Sequence, residues 1–208
     1  MIRKPVIAAS AAVLLSVGLW SATSSPASAA RPFARAELRS ASGIGVGSVS
    51  FTNARRSTKT VIVVRLKSFS GGHIDSFHGF HVHANDVATN GDGCVADPAQ
   101  PASTWFVSAD GHWKNDPADV HGNHAGDLPS VYINSDGTAE MRMVVSKLTA
   151  DQVVNRVVIL HGGPDNFGNV PVGAGADQYT ANSAAAVTKT QGTGNAGDRI
   201  ACGVVGRK

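Results

Sequence analysis

Eight histidines stand in this chain: His73, His78, His81, His83, His112, His121, His124 and His161. Six of them fall in patterns that suit a metal ion. His81-Val82-His83 is an H-x-H pair. On a strand, residues two apart leave the same face, about 6–7 Å apart along the backbone. Two imidazoles so placed can grip one ion. His121-Gly122-Asn123-His124-Ala125-Gly126-Asp127 spaces two imidazoles and a carboxylate at intervals of three, in a loop that glycine makes adaptable. Such N,N,O ligation suits zinc, and His112 is near enough to complete four ligands. His161 ends the apolar run Val157-Val158-Ile159-Leu160 and is followed by two glycines. That is where a strand delivers a ligand to a loop-built site. Imidazole ligation without thiolate suits copper or zinc more than calcium or magnesium. His78 reads as a structural histidine with a backbone partner, and His73 as an exposed turn residue.

Short β-rich runs must position these groups. Strands are expected over 45–53, 60–66, 79–83, 131–134, 138–145, 157–160 and 200–205. Asn134-Ser135-Asp136-Gly137 reads as a hairpin turn between two of them. Repeated short strands with glycine-rich turns favour an all-β sandwich or barrel. The segment 149–155 could make one helical turn and little more. Residues 85–129 and 162–198 resist a strand reading. Loops of that length are functional or disordered, and these two hold the residues that look chemical.

The chain opens with Arg3 and Lys4, an apolar run from Val6 to Trp20, and an Ala27-Ser28-Ala29 ending. A basic start, a short apolar stretch and small residues describe a secretory signal peptide over 1–30. A membrane anchor is the competing reading, but the run is shorter than the ~20 residues a span needs. Residues 31–43 then read as a flexible mature N-terminus and 44–208 as the domain, so that ~178 residues remain to build one core. The formal charge of +3 includes Arg3 and Lys4. The mature chain is near neutral, which argues against a nucleic-acid partner. Cys94 and Cys202 are the only cysteines. In an exported chain such a pair reads as one disulfide, two free thiols being the alternative.

Four motifs now bear comparison with a known family. Gly79-Phe80-His81-Val82-His83, His124-Ala125-Gly126-Asp127-Leu128-Pro129, Leu160-His161 with Asp165-Asn166, and Gly194-Asn195-Ala196-Gly197-Asp198-Arg199-Ile200-Ala201-Cys202-Gly203-Val204 occur in this order. Together they resemble the copper–zinc superoxide dismutases of the bacterial secreted type, from about residue 44 to 205. The resemblance implies an all-β Greek-key sandwich or flattened barrel, with long metal-binding and electrostatic loops and one disulfide. It implies copper on His81, His83, His112 and His161, and zinc on His112, His121, His124 and Asp127. His112 would bridge the two ions. Asp165 would hydrogen-bond ligands of both, Arg199 would hold the anion beside copper, and Cys94 would pair with Cys202. The implied activity converts superoxide to oxygen and hydrogen peroxide by Cu(II)/Cu(I) cycling, with His112 and Arg199 in catalytic roles. It would protect an extracytoplasmic space, as a secreted monomer or homodimer without a membrane span.

The chain also departs from the family. The spacing from His112 to His124 is shorter than in many relatives, and His121 and His124 are only three apart. A non-enzymatic copper-binding domain and an adhesive sandwich are the competing functions. The first usually lacks a copper ligand or the arginine, and here all five positions are filled.

Overall fold

The computed structural model describes residues 33–54, 57–166 and 184–208. The expected signal peptide and the middle of the second long loop lie outside these residues. Among the described residues nine strands form one antiparallel sheet: β1 (Ala34–Arg39), β2 (Gly45–Asn53), β3 (Thr60–Leu66), β4 (Ser76–His83), β5 (Asp127–Ile133), β6 (Ala139–Val145), β7 (Val157–His161), β8 (Arg199–Val204) and β9 (Gly206–Arg207). The spatial order is β5-β4-β7-β8-β1-β2-β3-β6, with β9 against β1. This is a flattened, nearly closed barrel. The expected strands are all present, and the β2 and β3 bounds coincide with the expectation.

Alternation explains why these runs are strands. In β3, Thr60, Ile62, Val64 and Leu66 are buried while the residues between them are more open. Such period-two burial with β-branched side chains is the mark of a half-buried strand. Phe80, Val82, Val158 and Leu160 join Leu38, Phe51, Ile62 and Ile133 in the main core. Their neighbours Val157 and Ile159 turn to the opposite face, into a smaller cluster with Phe106, Ala109 and Cys202. β7 is therefore buried on both faces, which its unbroken apolar run requires.

Two expectations need correction. The segment 31–43 is not a flexible arm over its central part: Ala34–Arg39 is β1, paired along its length with β2. Ala34, Ala36 and Leu38 point inward and are fully or almost fully buried. Small alanines at two of the three inward positions hid the alternation. The turn after Asn134 forms, with Gly137 N–H donating to the Asn134 carbonyl at 2.9 Å. However, β5 and β6 are the two ends of the sheet order and share no registered ladder. The turn spans the seam of the barrel rather than a hairpin.

The long loops gain structure as well. The segment 85–126 carries three short 3-10 turns, at Ala88–Asn90, Ala102–Thr104 and Val107–Ala109. The second loop ends in a helix, α1 (Ala184–Thr193), which the sequence reading missed. Residues 149–155 make turns only. The disulfide between Cys94 and Cys202 forms, with 5.7 Å between the Cα atoms, and ties the first long loop to β8. Among the described residues no helix is long and apolar enough to cross a membrane.

Candidate metal centre

Strand register brings the first ligands together. His81 and His83 leave the outer face of β4, because Phe80 and Val82 take the core side. The β4–β5 pairing sets His81 opposite Asp127. The β7–β8 pairing sets His161 opposite Arg199, just past a register shift at Leu160. His112 comes from the loop and makes an isolated bridge with His83. Thus residues of four strands and one loop meet on one outer face of the barrel.

Two groups of candidate ligands result. The ligand atoms of His81, His83, His112 and His161 all lie within 4.8 Å of one another, as do those of His81, His112, His121 and Asp127. His124 sits against the second group, its Nδ1 3.2 Å from Asp127 Oδ1 and 3.3 Å from His112 Nδ1. Asp127 Oδ1 also lies 2.8 Å from His112 Nδ1 and 3.2 Å from His121 Nδ1. All six histidines singled out by spacing are therefore brought together, along with Asp127. His81 reaches both groups, a proximity the spacing did not foresee.

Which nitrogen of each ring is free follows from its neighbours. His83 Nδ1–H donates to the Asp110 carbonyl at 2.8 Å, and His161 Nδ1–H to the Gly197 carbonyl at 3.1 Å. A carbonyl only accepts, so in the neutral rings Nε2 keeps its lone pair. Those Nε2 atoms are buried and unpartnered, as are His112 Nε2 and His81 Nδ1. Orphaned buried nitrogens are costly unless something coordinates them. On the other side, His112 Nδ1, His121 Nδ1, His124 Nδ1 and Asp127 Oδ1 approach at the four distances above. Donors about 2.0–2.1 Å from a tetrahedral zinc stand about 3.3 Å apart. The donor set and its spacing fit both ions. His112 turns one nitrogen to each set, Nε2 to the first and Nδ1 to the second.

Asp165 joins the two halves. Its Oδ1 lies 2.9 Å from His81 Nε2 and 3.6 Å from His121 Nε2, in contact but without hydrogen-bond alignment. Ser130 Oγ donates to its other oxygen at 3.2 Å. A carboxylate behind a ligand ring fixes its orientation. His124 Nε2 meets the Asp119 carbonyl at 3.2 Å. The main chain of α1 also reaches the site, for the His121 N–H donates to the Gln191 carbonyl at 2.7 Å.

Burial sets the charge states. It holds the His81, His83 and His161 imidazoles well below their ordinary value; neighbouring imidazoles add to this, and Arg199 does so for His83 and His161. His112 is lowered by burial too, against the pull of Asp127. Burial also lowers His121, but Asp127 and Asp165 overcome it and leave that ring raised. Burial opposes ionisation of Asp127, yet the His112 hydrogen bond and the His121 imidazole close by keep it far below the usual carboxylate range. Asp165 is raised by burial. Neutral rings beside an ionised Asp127 are what metal ligation needs.

Arg199 is half-buried at this edge. Nη2 donates to the Asp110 carbonyl at 2.6 Å, and Nη1 to the Phe106 carbonyl. Sequence reasoning missed these acceptors, because a carbonyl has no side-chain signature. His78 does hold a structural place: its Nδ1 meets the His161 carbonyl at 2.8 Å. His73 is half-buried rather than exposed, since it packs edge-on to His78.

Comparisons with known proteins agree with this geometry. Residues 46–205 match the family described as copper/zinc superoxide dismutase (SODC). A relative from Mycolicibacterium paratuberculosis, named a Cu-Zn superoxide dismutase, is 29% identical over 202 residues, or 90% of this chain and 84% of the relative. Relatives of the same name from Mycobacterium bovis and Mycobacterium tuberculosis are 34% identical over 135 residues, 62% of this chain and 53% of each relative. The match thus spans about half the length of those two. A solved structure described as "Crystal Structure Analysis of the clock protein EA4" superposes with a TM-score of 0.57 at 20% identity, over 85% of this chain and 96% of that one. That likeness speaks for the fold alone. On a family match that covers nearly the whole described barrel, with the histidine centre in place, the chain belongs to the copper/zinc superoxide dismutase family.

Proposed function

We propose that this protein disproportionates superoxide to oxygen and hydrogen peroxide in an extracytoplasmic space. The observation that carries the reading is the convergence of four unpartnered imidazole nitrogens, from His81, His83, His112 and His161, beside Arg199. These four would hold copper, and His112, His121, His124 and Asp127 would hold zinc. Bound copper would supply the one-electron couple that the reaction requires, which zinc cannot.

The chain's own residues do the rest. A guanidinium has five N–H donors, and two of Arg199's are spent on the Phe106 and Asp110 carbonyls. Those bonds hold it rigidly, and its remaining donors take the small anion by charge-assisted hydrogen bonds. Its charge also draws superoxide in, an effect that weakens with salt. His112 Nε2, when not engaged by copper, would hold one proton and pass it to the reduced substrate, and water would supply the second. Asp165 keeps His81 and His121 in register with each other, so the two halves share one alignment. The leader expected over 1–30 and the disulfide both fit an oxidising compartment outside the cytoplasm.

The test is metal content and superoxide consumption, measured on one preparation of the purified mature protein. Copper bound with rapid consumption, lost on chelation and regained with copper, is the expected result. A copper-loaded protein that consumes superoxide no faster than its spontaneous decay would overturn the proposal.

A further inference from the structure

Asp110 occupies a backbone conformation that only glycine adopts freely. Its φ is 66° and its ψ −157°. A non-glycine residue persists there only when its surroundings over-determine it. Here the surroundings are specific. One carboxylate oxygen accepts the Asp86 N–H at 2.6 Å and the Val87 N–H at 2.8 Å, and the other accepts the Asn90 side-chain amide at 2.8 Å. All three donors belong to the segment between β4 and Cys94. At the same residue, the main-chain carbonyl accepts from both His83 Nδ1 and Arg199 Nη2.

We propose that the Asp110 carboxylate is a positioning group: tethered by three donors of the 86–90 segment, it locks its own carbonyl where His83 and Arg199 both need it. Asp110 touches neither substrate nor metal. It acts through the imidazole it orients and the guanidinium it anchors. The same tether couples the 86–90 segment to the site. That segment is also held by Asn85, whose side-chain oxygen accepts the Gly93 N–H at 2.7 Å, and by the disulfide at Cys94. A glycine at 110 would reach the same backbone angles without effort but would carry no tether, so the variant D110G separates conformation from anchoring. The proposal rests on the copper and arginine assignments above, but its first readout does not depend on turnover.

The measurement is imidazole-proton NMR on the full mature protein loaded with zinc alone, which is diamagnetic. In the wild type the His83 Nδ1–H, bonded to the Asp110 carbonyl at 2.8 Å, should exchange slowly with water. In D110G it should exchange about tenfold faster, as expected for loosening a hydrogen bond whose acceptor had been held by charge-assisted contacts. N90A, which removes one donor of three, should give a smaller increase. In the copper-loaded protein, D110G should bind azide several-fold more weakly, through a loosened Arg199. Wild-type exchange in a folded D110G would overturn the proposal, because the backbone angle alone would then suffice. Should D110G fail to fold, D110N and N90A decide: wild-type exchange in both would also overturn it. If the wild type is inactive toward superoxide while this exchange pattern holds, the functional reading falls and the positioning role stands.

Discussion

His83 and Arg199 hold the same oxygen, the main-chain carbonyl of Asp110, at 2.8 and 2.6 Å. The ring that would grip copper and the cation that would receive the anion are thereby fixed to one point. Replacing Arg199 disturbs both the charge and this anchor. Arg199→Ala should slow superoxide consumption about tenfold or more at low salt, as expected for a positioned anion-binding group. Arg199→Lys keeps a charge but cannot span both carbonyls and an anion, so it should fall between. An unchanged rate for the alanine variant at low ionic strength would refute the role.

His161 completes the four-imidazole group from β7, yet its main-chain carbonyl independently receives His78. His161→Ala should abolish copper retention and activity while leaving the metal-free barrel folded. Metal analysis and a thermal melt on the same sample check both halves. Substantial residual turnover would remove His161 from the ligand set.

Gly194 sits with φ at +65°, and a Cβ there would come within 2.4 Å of His121 Nε2 and 2.8 Å of Asp165 Oδ1. Gly194→Ala should therefore push apart the pair that joins the two halves and weaken zinc retention. Competition with a chelator measures it. Zinc held as tightly as in the wild type would show that the pair does not matter to the zinc side.

The disulfide joins residues 108 apart in sequence. In the chain-entropy account, removing a link over such a loop costs about 4–5 kcal/mol of stability. The double variant Cys94→Ser, Cys202→Ser should shift the denaturant midpoint down accordingly, relative to the oxidised wild type. No shift would mean that the reduced loop stays docked through its other bonds.

Metal-free protein should lose stability as pH falls below about 6.5. His81, His83, His112 and His161 are depressed in the folded chain, by burial first. Between the folded and unfolded values the unfolded state binds more protons, so acid favours unfolding. His121 and Asp165 are raised and run the other way, but they are outnumbered. Melts at pH 7.5 and 5.0 decide. Equal midpoints would show that the rings titrate freely in the fold.

Much of the centre was legible because side-chain ligands leave a trace in sequence. The H-x-H pair and the 121–127 run named their residues without a structure. β3 and β7 announced themselves through β-branched residues. β1 did not, because two alanines carry too little hydrophobic contrast. α1 was missed for a related reason: its sequence Ala-Ala-Ala-Val-Thr-Lys-Thr-Gln-Gly-Thr has no apolar face and ends in glycine and threonine. The carbonyls of Asp110, Phe106, Gly197 and Asp119 were invisible in principle, since every residue has one and only the folded backbone aims it.

The ladder between β4 and β5 slips register between His78 and Phe80. At Gly79 an added Cβ would strike the Ala196 side chain at 2.6 Å and Asp165 at 2.9 Å. Downstream of that slip, odd-numbered residues face the candidate metal centre and even-numbered ones face hydrocarbon. Deleting a single residue just ahead of it would invert the parity. Phe80 and Val82 would be delivered to the ions and two imidazoles to the oil, so the enzyme's chemistry hangs on a counting rule.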